Sequence, residues 1–373
     1  MVTMRRSLCS RLRNLTFRSF LLLIVLTTVI INEFLVHRIQ SWRWPAMPHS
    51  HKDQEEEMRI LFVSDPQIIG YQDELMFPIG SLTRWDSDSF LSRTFSVAFS
   101  YVQPDVVVFL GDLMDEGSRA TPAEYEIYMG RLESIFYSAK HVKKIFVPGD
   151  NDIGGEGRDF RSPFKITRFE NHFENLTGIE RVGFIDFIKL DLRFNRNMPL
   201  EQRKLLEKLK KHFTAPLRLI VNHETMLPKL KSFIHPILME VQPHLLMSGH
   251  WHEARRFECE DCLSNNVDTG HWPVTQEDLT EIDSYLDIDL NKPLAVNEIM
   301  VPTCSYRMGE PNMGYGVGLL DPEGHLKYTV LWLPSRYIQL YAYLGVLVLV
   351  AILFVSCCIM QSLWQQQQPR YPR

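Results

Sequence analysis

Five apolar runs in this chain stop where a carboxylate, an amide or an imidazole begins. Asp65-Pro66-Gln67 follows Ile60 to Ser64, and Gly111-Asp112 follows Val106 to Leu110. Gly149-Asp150-Asn151-Asp152 follows Ile145 to Pro148. Asn222-His223-Glu224 follows Leu219 to Val221, and Gly249-His250-Trp251-His252 follows Leu245 to Ser248. Short, continuous apolar runs are what strands covered on both faces require. A sheet built from them delivers its polar termini to one edge, so the chain is restricted to folds with buried strands and a shared loop edge. Hard oxygen donors mixed with imidazole suit a divalent ion such as Mn, Fe or Zn. A set this large fits two ions, and two-metal sites commonly handle phosphate esters.

Strands are predicted at Arg59–Ser64, Val106–Leu110, Lys144–Val147, Phe184–Leu190, Leu217–Val221, Leu245–Ser248, Glu298–Pro302, Val317–Leu320 and Tyr328–Leu333. Helices are expected at Phe90–Val102, Pro122–Ser138 and Pro199–Phe213. The second of these opens on Thr121-Pro122, an N-cap followed by proline in the first turn. Strand–helix alternation predicts an α/β sandwich. The concentration of strands near the C-terminal end predicts a second, mixed sheet packed on the first.

Both ends of the chain are apolar. Phe20 to Val36 is interrupted only by Thr27-Thr28 and Asn32-Glu33, and Tyr337 to Met360 contains no charge. Each approaches or exceeds the ~20 residues needed to cross a bilayer. Arg5, Arg6, Arg11, Arg13 and Arg18 precede the first, which places that end in the cytoplasm. A cleaved signal peptide is the competing reading, but no small-x-small cleavage site is visible. The expected layout is a cytoplasmic tail (1–19), a span (20–36), a linker (37–57), a luminal domain (58–334), a second span (337–360) and a cytoplasmic tail (361–373). Asn175-Leu176-Thr177 would then be a usable glycosylation sequon.

The net charge of −5 argues against a nucleic-acid partner. Cys259 and Cys262 lie in the central region, where they could form a tight disulfide, half a zinc site or two free thiols.

The five motifs, in this order, resemble those of the calcineurin-like metallophosphoesterase superfamily: Asp-x-His, Gly-Asp, Gly-Asn-His-Asp, His and Gly-His-x-His. The resemblance implies a four-layer α/β/β/α metallophosphoesterase sandwich, here flanked by two transmembrane helices, with a dinuclear centre. It implies that Asp65, Gln67, Asp112 and His252 hold one ion, and that Asp112 bridges to a second held by Asp150, His223 and His250. Gln67 stands where the pattern has His, and Asp150 where it has Asn. Asn151 stands where the pattern has the His that protonates the leaving group. An amide cannot act as a general acid, so that role would pass to Asp152, His271 or water, or go unfilled. Asn151 keeps the capacity to donate a hydrogen bond to phosphate.

Leu110-Gly111-Asp112-Leu113-Met114-Asp115-Glu116-Gly117 and Asp152-Ile153-Gly154, with a span at each end, are similar to a narrower family. That family comprises the metallophosphoesterase 1 enzymes, phosphodiesterases that remodel GPI anchors after attachment. The similarity implies Mn2+ as the metal and removal of a side-branch ethanolamine phosphate from the GPI glycan. It further implies GPI-anchored proteins as substrate or cargo. The expected location is a multi-pass position in the early secretory membranes: ER exit sites, the ER–Golgi intermediate compartment and the Golgi. Another phosphate ester as substrate, or a metal-bound cargo receptor without turnover, are the alternatives. Arg307 could contact phosphate or form a structural ion pair, and Trp251 and Trp272 could wall a glycan pocket or pack internally.

Overall fold

The structure, a computed structural model, describes residues 2–48, 57–191, 212–229, 231–264, 274–280 and 284–366. The chain divides into a unit of residues 40–333 and a unit formed by its two ends, residues 1–39 and 334–373.

The larger unit contains two sheets. The first has strand order β10 (Leu286–Asp289), β13 (His325–Trp332), β12 (Gly314–Leu320), β1 (Met58–Val63), β2 (Val106–Phe109) and β3 (Lys143–Phe146). The second has the order β4 (Gly178–Val182), β5 (Ile185–Lys189), β6 (Leu217–Val221), β7 (Leu245–Ser248), β11 (Val296–Met300), β8 (Arg255–Cys259) and β9 (Val274–Asp278). β1, β2 and β3 pair in parallel, as do β5, β6, β7 and β11. Among the described residues the unit's α-helices are α1 (Ile79–Val102), α2 (Pro122–Ile135), α3 (Asp150–Ile153), α4 (Pro163–Phe173) and α5 (Lys231–Val241).

Alternation along the strands creates four layers. Ile60, Phe62, Val106 and Val108 point into a core shared with Phe187, Leu219, Val221 and Met247 of the second sheet. Their neighbours Leu61, Val63, Val107 and Phe109 face the other way, onto Phe90 and Phe95 of α1 and Tyr128 and Leu132 of α2. Ile188, Ile220 and Leu246 form the outer face of the second sheet with Ile234, Ile237 and Leu238 of α5. Strands buried on both faces have no polar face to show, which is why they read as unbroken apolar runs. The expected four-layer α/β/β/α arrangement is present.

Every predicted strand exists, with ends shifted by a few residues at most. β4, β8, β9 and β10 were not predicted. They carry charges such as Glu180, Arg255, Glu277 and Asp287, and they lie at or near sheet edges where one face meets water. α1 begins at Ile79, ahead of its predicted start, because its first turns leave apolar side chains exposed and so lack an amphipathic signature. α2 begins as predicted. Thr121 and Glu124 form a reciprocal capping box, with proline in the first turn. The helix predicted at Pro199–Phe213 falls almost wholly outside the described residues.

In the terminal unit, a helix over Val2–Ile30 passes through a π-turn at Ile31–Leu35 into a helix over Val36–Ser41. A single helix covers Arg336–Gln366. Thr16–Ser41 (26 residues) and Arg336–Leu363 (28 residues) are long and apolar enough to cross a membrane. The polar pair that interrupts the first apolar run is buried. Glu33 Oε1 accepts from Arg336 Nη2 (3.0 Å) and from Tyr343 Oη (2.6 Å). Asn32 Nδ2 donates to the Gln339 carbonyl (3.1 Å). A π-turn inserts one residue into the helical register, a common device at functional positions, and here both adjacent polar side chains are buried.

Candidate metal centre

Each ligand-type side chain lies just beyond the C-terminal end of a parallel strand. Asp65 and Gln67 follow β1, Asp112 follows β2, Asp150 follows β3, His223 follows β6, and His250 and His252 follow β7. Both sheets therefore contribute to one cluster. Its backbone is strained. Asp65, Gln67, Asp112, His250 and His252 all adopt positive φ (48°, 39°, 48°, 72° and 63°). Left-handed backbone at non-glycine residues is held only where the surroundings over-determine it, and it concentrates at functional sites.

Donor atoms of Asp150, His223 and His250 lie within 4.8 Å of one another, as do those of Asp65, Asp112 and His223. His223 Nε2 is 3.2 Å from Asp150 Oδ1 and 3.5 Å from Asp112 Oδ1. Its Nδ1 lies 2.7 Å from the Leu110 carbonyl, which fixes the ring with Nε2 facing the cluster. His250 Nδ1 is 3.3 Å from Asp150 Oδ1. His252 Nε2 is 3.6 Å from Asp65 Oδ1 and 3.2 Å from Gln67 Nε2. Gln67 Nε2 also lies 3.2 Å from Asp112 Oδ2. Asn151 contacts the same carboxylate twice, through its backbone N–H (3.0 Å to Oδ1) and its amide Nδ2 (3.0 Å to Oδ2).

The electrostatics show a deficit of positive charge. Burial raises Asp112 well above the usual carboxylate range, the charges of Asp150, Asp65 and Asp152 adding to it while His223 opposes. Burial also works against ionised Asp150, yet hydrogen bonds with His223 and His250 hold its carboxyl well below the usual range. Burial alone would lower His223, but Asp112, Asp150 and Asp65 push it up to about 10. A proton is thus retained where a divalent cation would balance the same charges.

The packing fits such a cation. Asp65 Oδ1 is buried with no hydrogen-bond partner among the described residues, while Oδ2 is bonded to the Ser64 hydroxyl and the His250 N–H. A Cβ on Gly149 would lie 1.9 Å from Asp112 Oδ1, and one on Gly249 would lie 2.9 Å from Asp65 Oδ2. Glycine at both positions lets the neighbouring loops close on the carboxylates. Oxygen and imidazole donors in this mixture suit a borderline or hard divalent ion.

The structure brings together Asp65, Gln67, Asp112, Asp150, His223, His250 and His252, with Asn151 against Asp112. Asp152 has a structural place beside the cluster. Its carboxylate is 2 % exposed and accepts the backbone N–H groups of Gly149 (2.8 Å), Met114 (3.1 Å) and Leu113 (3.2 Å). Burial pushes it up to about 6, against the pull of those three amides. It ties the Asp112 loop to the segment that opens α3. Arg307 pairs with Glu74 at 2.5 Å, the structural alternative. Cys259 and Cys262 form a disulfide. Trp251 is exposed, and His271 and Trp272 lie outside the described residues. Glu156, hydrogen-bonded to Asp150, was not anticipated, since it follows no strand.

Comparison with known proteins agrees with this geometry. Residues 58–254, more than half of the chain, match the family described as calcineurin-like phosphoesterase, and the chain belongs to that family. Members of this family are phosphoesterases, and the donor groups gathered here could hold divalent metal. A metallophosphoesterase 1 homolog from Drosophila melanogaster is 28% identical over 173 residues, covering 43% of each chain. Metallophosphoesterase 1 from Ailuropoda melanoleuca is 29% identical over 182 residues, 45% of this chain and 43% of that one. The aligned region thus spans less than half the length of these relatives. Among solved structures, a dimetal phosphatase from Danio rerio aligns with 75% of this chain and 100% of its own at 12% identity, with a TM-score of 0.38.

Proposed function

We propose that this chain is a membrane-anchored phosphodiesterase of the early secretory pathway that removes a side-branch ethanolamine phosphate from the GPI glycan, aiding export of GPI-anchored proteins. The observation that carries the hydrolytic part is the convergence of carboxylates and imidazoles from both sheets on one strained loop edge. The substrate assignment draws support from the relatives named metallophosphoesterase 1 and from the apolar helices at both ends. The Cys259–Cys262 disulfide suits a luminal domain over 58–334. With spans at 20–36 and 337–360, tails 1–19 and 361–373 would be cytoplasmic, and exposed Asn175 would be open to glycosylation.

Asp65, Gln67, Asp112 and His252 would hold one ion, and Asp112, Asp150, His223 and His250 the other, with Mn2+ the proposed occupant. When bound, such a pair supplies Lewis acidity toward the phosphoryl oxygens and toward water. Asp112 has the central position, since it contacts His223, Gln67 and Asn151. Ser64, Thr303 and the His250 N–H hold the Asp65 loop, the Thr303 hydroxyl donating to the Asp65 carbonyl at 2.8 Å. Asn151, whose amide lies beside Asp112, orients the substrate phosphate by hydrogen bonding. It cannot protonate the departing alcohol, so that proton comes from another group or from water.

The test compares GPI glycans from cells with and without this chain. The extra ethanolamine phosphate should persist in its absence, be removed on re-expression, and persist with Asp112→Ala. Unchanged glycans would reject the substrate assignment, while full rescue by Asp112→Ala would reject the metal mechanism.

A further inference from the structure

Beyond Gln67, the chain turns at Gly70 into a segment with an apolar tip. Leu75 is 65% exposed, Met76 91% and Phe77 86%, and Ile79 and Leu82 are also exposed. Residues 75–83 contain no charged side chain. This is not a loose loop. The buried Glu116 carboxylate accepts the N–H groups of Tyr71 (2.9 Å), Gln72 (2.8 Å) and Asp73 (2.6 Å). Glu74 accepts from Arg307 (2.5 Å) and from the Thr83 hydroxyl (2.8 Å). The base is pinned while the tip is held out in water, where isolated domains rarely leave a contiguous apolar patch.

The surroundings of the tip select its occupant. Asp73 is paired with Arg119 and Glu74 with Arg307, so the charges at the base are already satisfied. A glycan would need directional polar groups there, and hydrocarbon needs none. The border carries exposed Trp85, and Tyr71 with the Arg84 guanidinium 4.3 Å above its ring. Apolar tip, aromatic border and a cation are the sequence of groups met on leaving a bilayer core for its headgroups. Along the chain, residues 333–335 alone separate the end of β13 from the apolar helix starting at Arg336, so this unit is tethered by a short link to any bilayer that helix crosses.

We propose that residues 75–85, the approach to α1 and its first turns, form a lipid-inserting segment. Leu75, Met76, Phe77, Ile79 and Leu82 enter the hydrocarbon of the adjacent leaflet, and Trp85 lies at headgroup depth. Because the segment continues directly from the Asp65–Gln67 loop, its insertion seats the metal centre at the lipid–water boundary. The proposal rests on the terminal helices spanning a membrane and not on the choice of substrate.

The test uses the full chain in phosphatidylcholine vesicles, with Cys9, Cys357 and Cys358 changed to Ser and the disulfide and buried Cys304 retained. Nitroxide labels are placed at Met76→Cys, at Leu82→Cys and, as a control on exposed β9, at Gln276→Cys. Power saturation then compares access to oxygen and to a water-soluble nickel chelate. Labels at 76 and 82 should favour oxygen, and the label at 276 should favour nickel. Nickel-favouring accessibility at both 76 and 82 overturns the proposal. Dipolar broadening between labels at 76, showing a second copy seated on the loop, overturns it as well.

Discussion

Gly149→Ala isolates the geometry of the metal centre from its chemistry, since it alters no ligand. The backbone at Gly149 (φ −95°, ψ 179°) is open to alanine, so no conformational strain enters. The new Cβ would lie 1.9 Å from Asp112 Oδ1 and 2.3 Å from the Asp112 backbone nitrogen. Ordinary contact begins near 3.4 Å, so the overlap with the carboxylate is 3.4 − 1.9 = 1.5 Å. Rotating the carboxylate cannot clear the backbone nitrogen, and the loop after β2 must move by about 1 Å. Misplacement on that scale costs about 10²-fold in rate, or roughly 2.7 kcal/mol. The assay is hydrolysis of a soluble aryl phosphodiester, with metal content measured on the same sample. Gly130→Ala is the control: it lies in α2 with no atom within 4 Å of the new Cβ. It should leave activity unchanged and add about 0.5–1 kcal/mol of stability. A Gly149→Ala protein that matches the parent in metal content and turnover would refute the reasoning.

Other perturbations address other parts of the fold. Asp152→Ala strands the buried N–H groups of Leu113, Met114 and Gly149, and should cost about 3 kcal/mol or more in denaturant unfolding. An unfolding curve superimposed on the parent's would show that the carboxylate is not a strut. In the metal-free protein His223 is raised from 6.5 to about 10, so its stabilising contribution is complete below pH 6.5 and disappears as pH rises toward 10. Metal displaces that proton, so apparent Mn2+ affinity should rise about ten-fold per pH unit in this window. Calorimetry in buffers of different ionisation enthalpy should register proton release, and a buffer-independent heat would contradict the assignment. Glu33→Leu leaves the Arg336 guanidinium without its carboxylate and should weaken the pairing of the terminal helices by about 3–5 kcal/mol, while Glu33→Leu with Arg336→Leu restores much of it. Spin-label distances between the helices report the pairing, and a double variant no better than the single would exclude the ion pair as its source.

The legible parts of this protein were those coded over a few neighbouring residues. Val106 to Leu110 followed by Gly111-Asp112 signals a buried strand and a polar loop at once, because a strand covered on both faces has no other way to end. The same holds for Leu245 to Ser248 followed by Gly249-His250-Trp251-His252. β8, one strand in from the edge, and β9, at the edge, were missed because short charged strands resemble loops until neighbouring strands supply their hydrogen bonds.

What the sequence alone determined was which side chains stand at strand ends and which stretches can leave water. Both follow from local periodicity and apolar length. The tertiary structure decided partnerships across long separations. Asp152 became a strut because the Asp112 loop, some forty residues earlier in the chain, brought its amides within 3.2 Å. Glu33 found Arg336 across 303 positions, and Arg307 was claimed by Glu74. A residue's type fixes what bonds it can make, and only packing fixes which partner is near enough to make them.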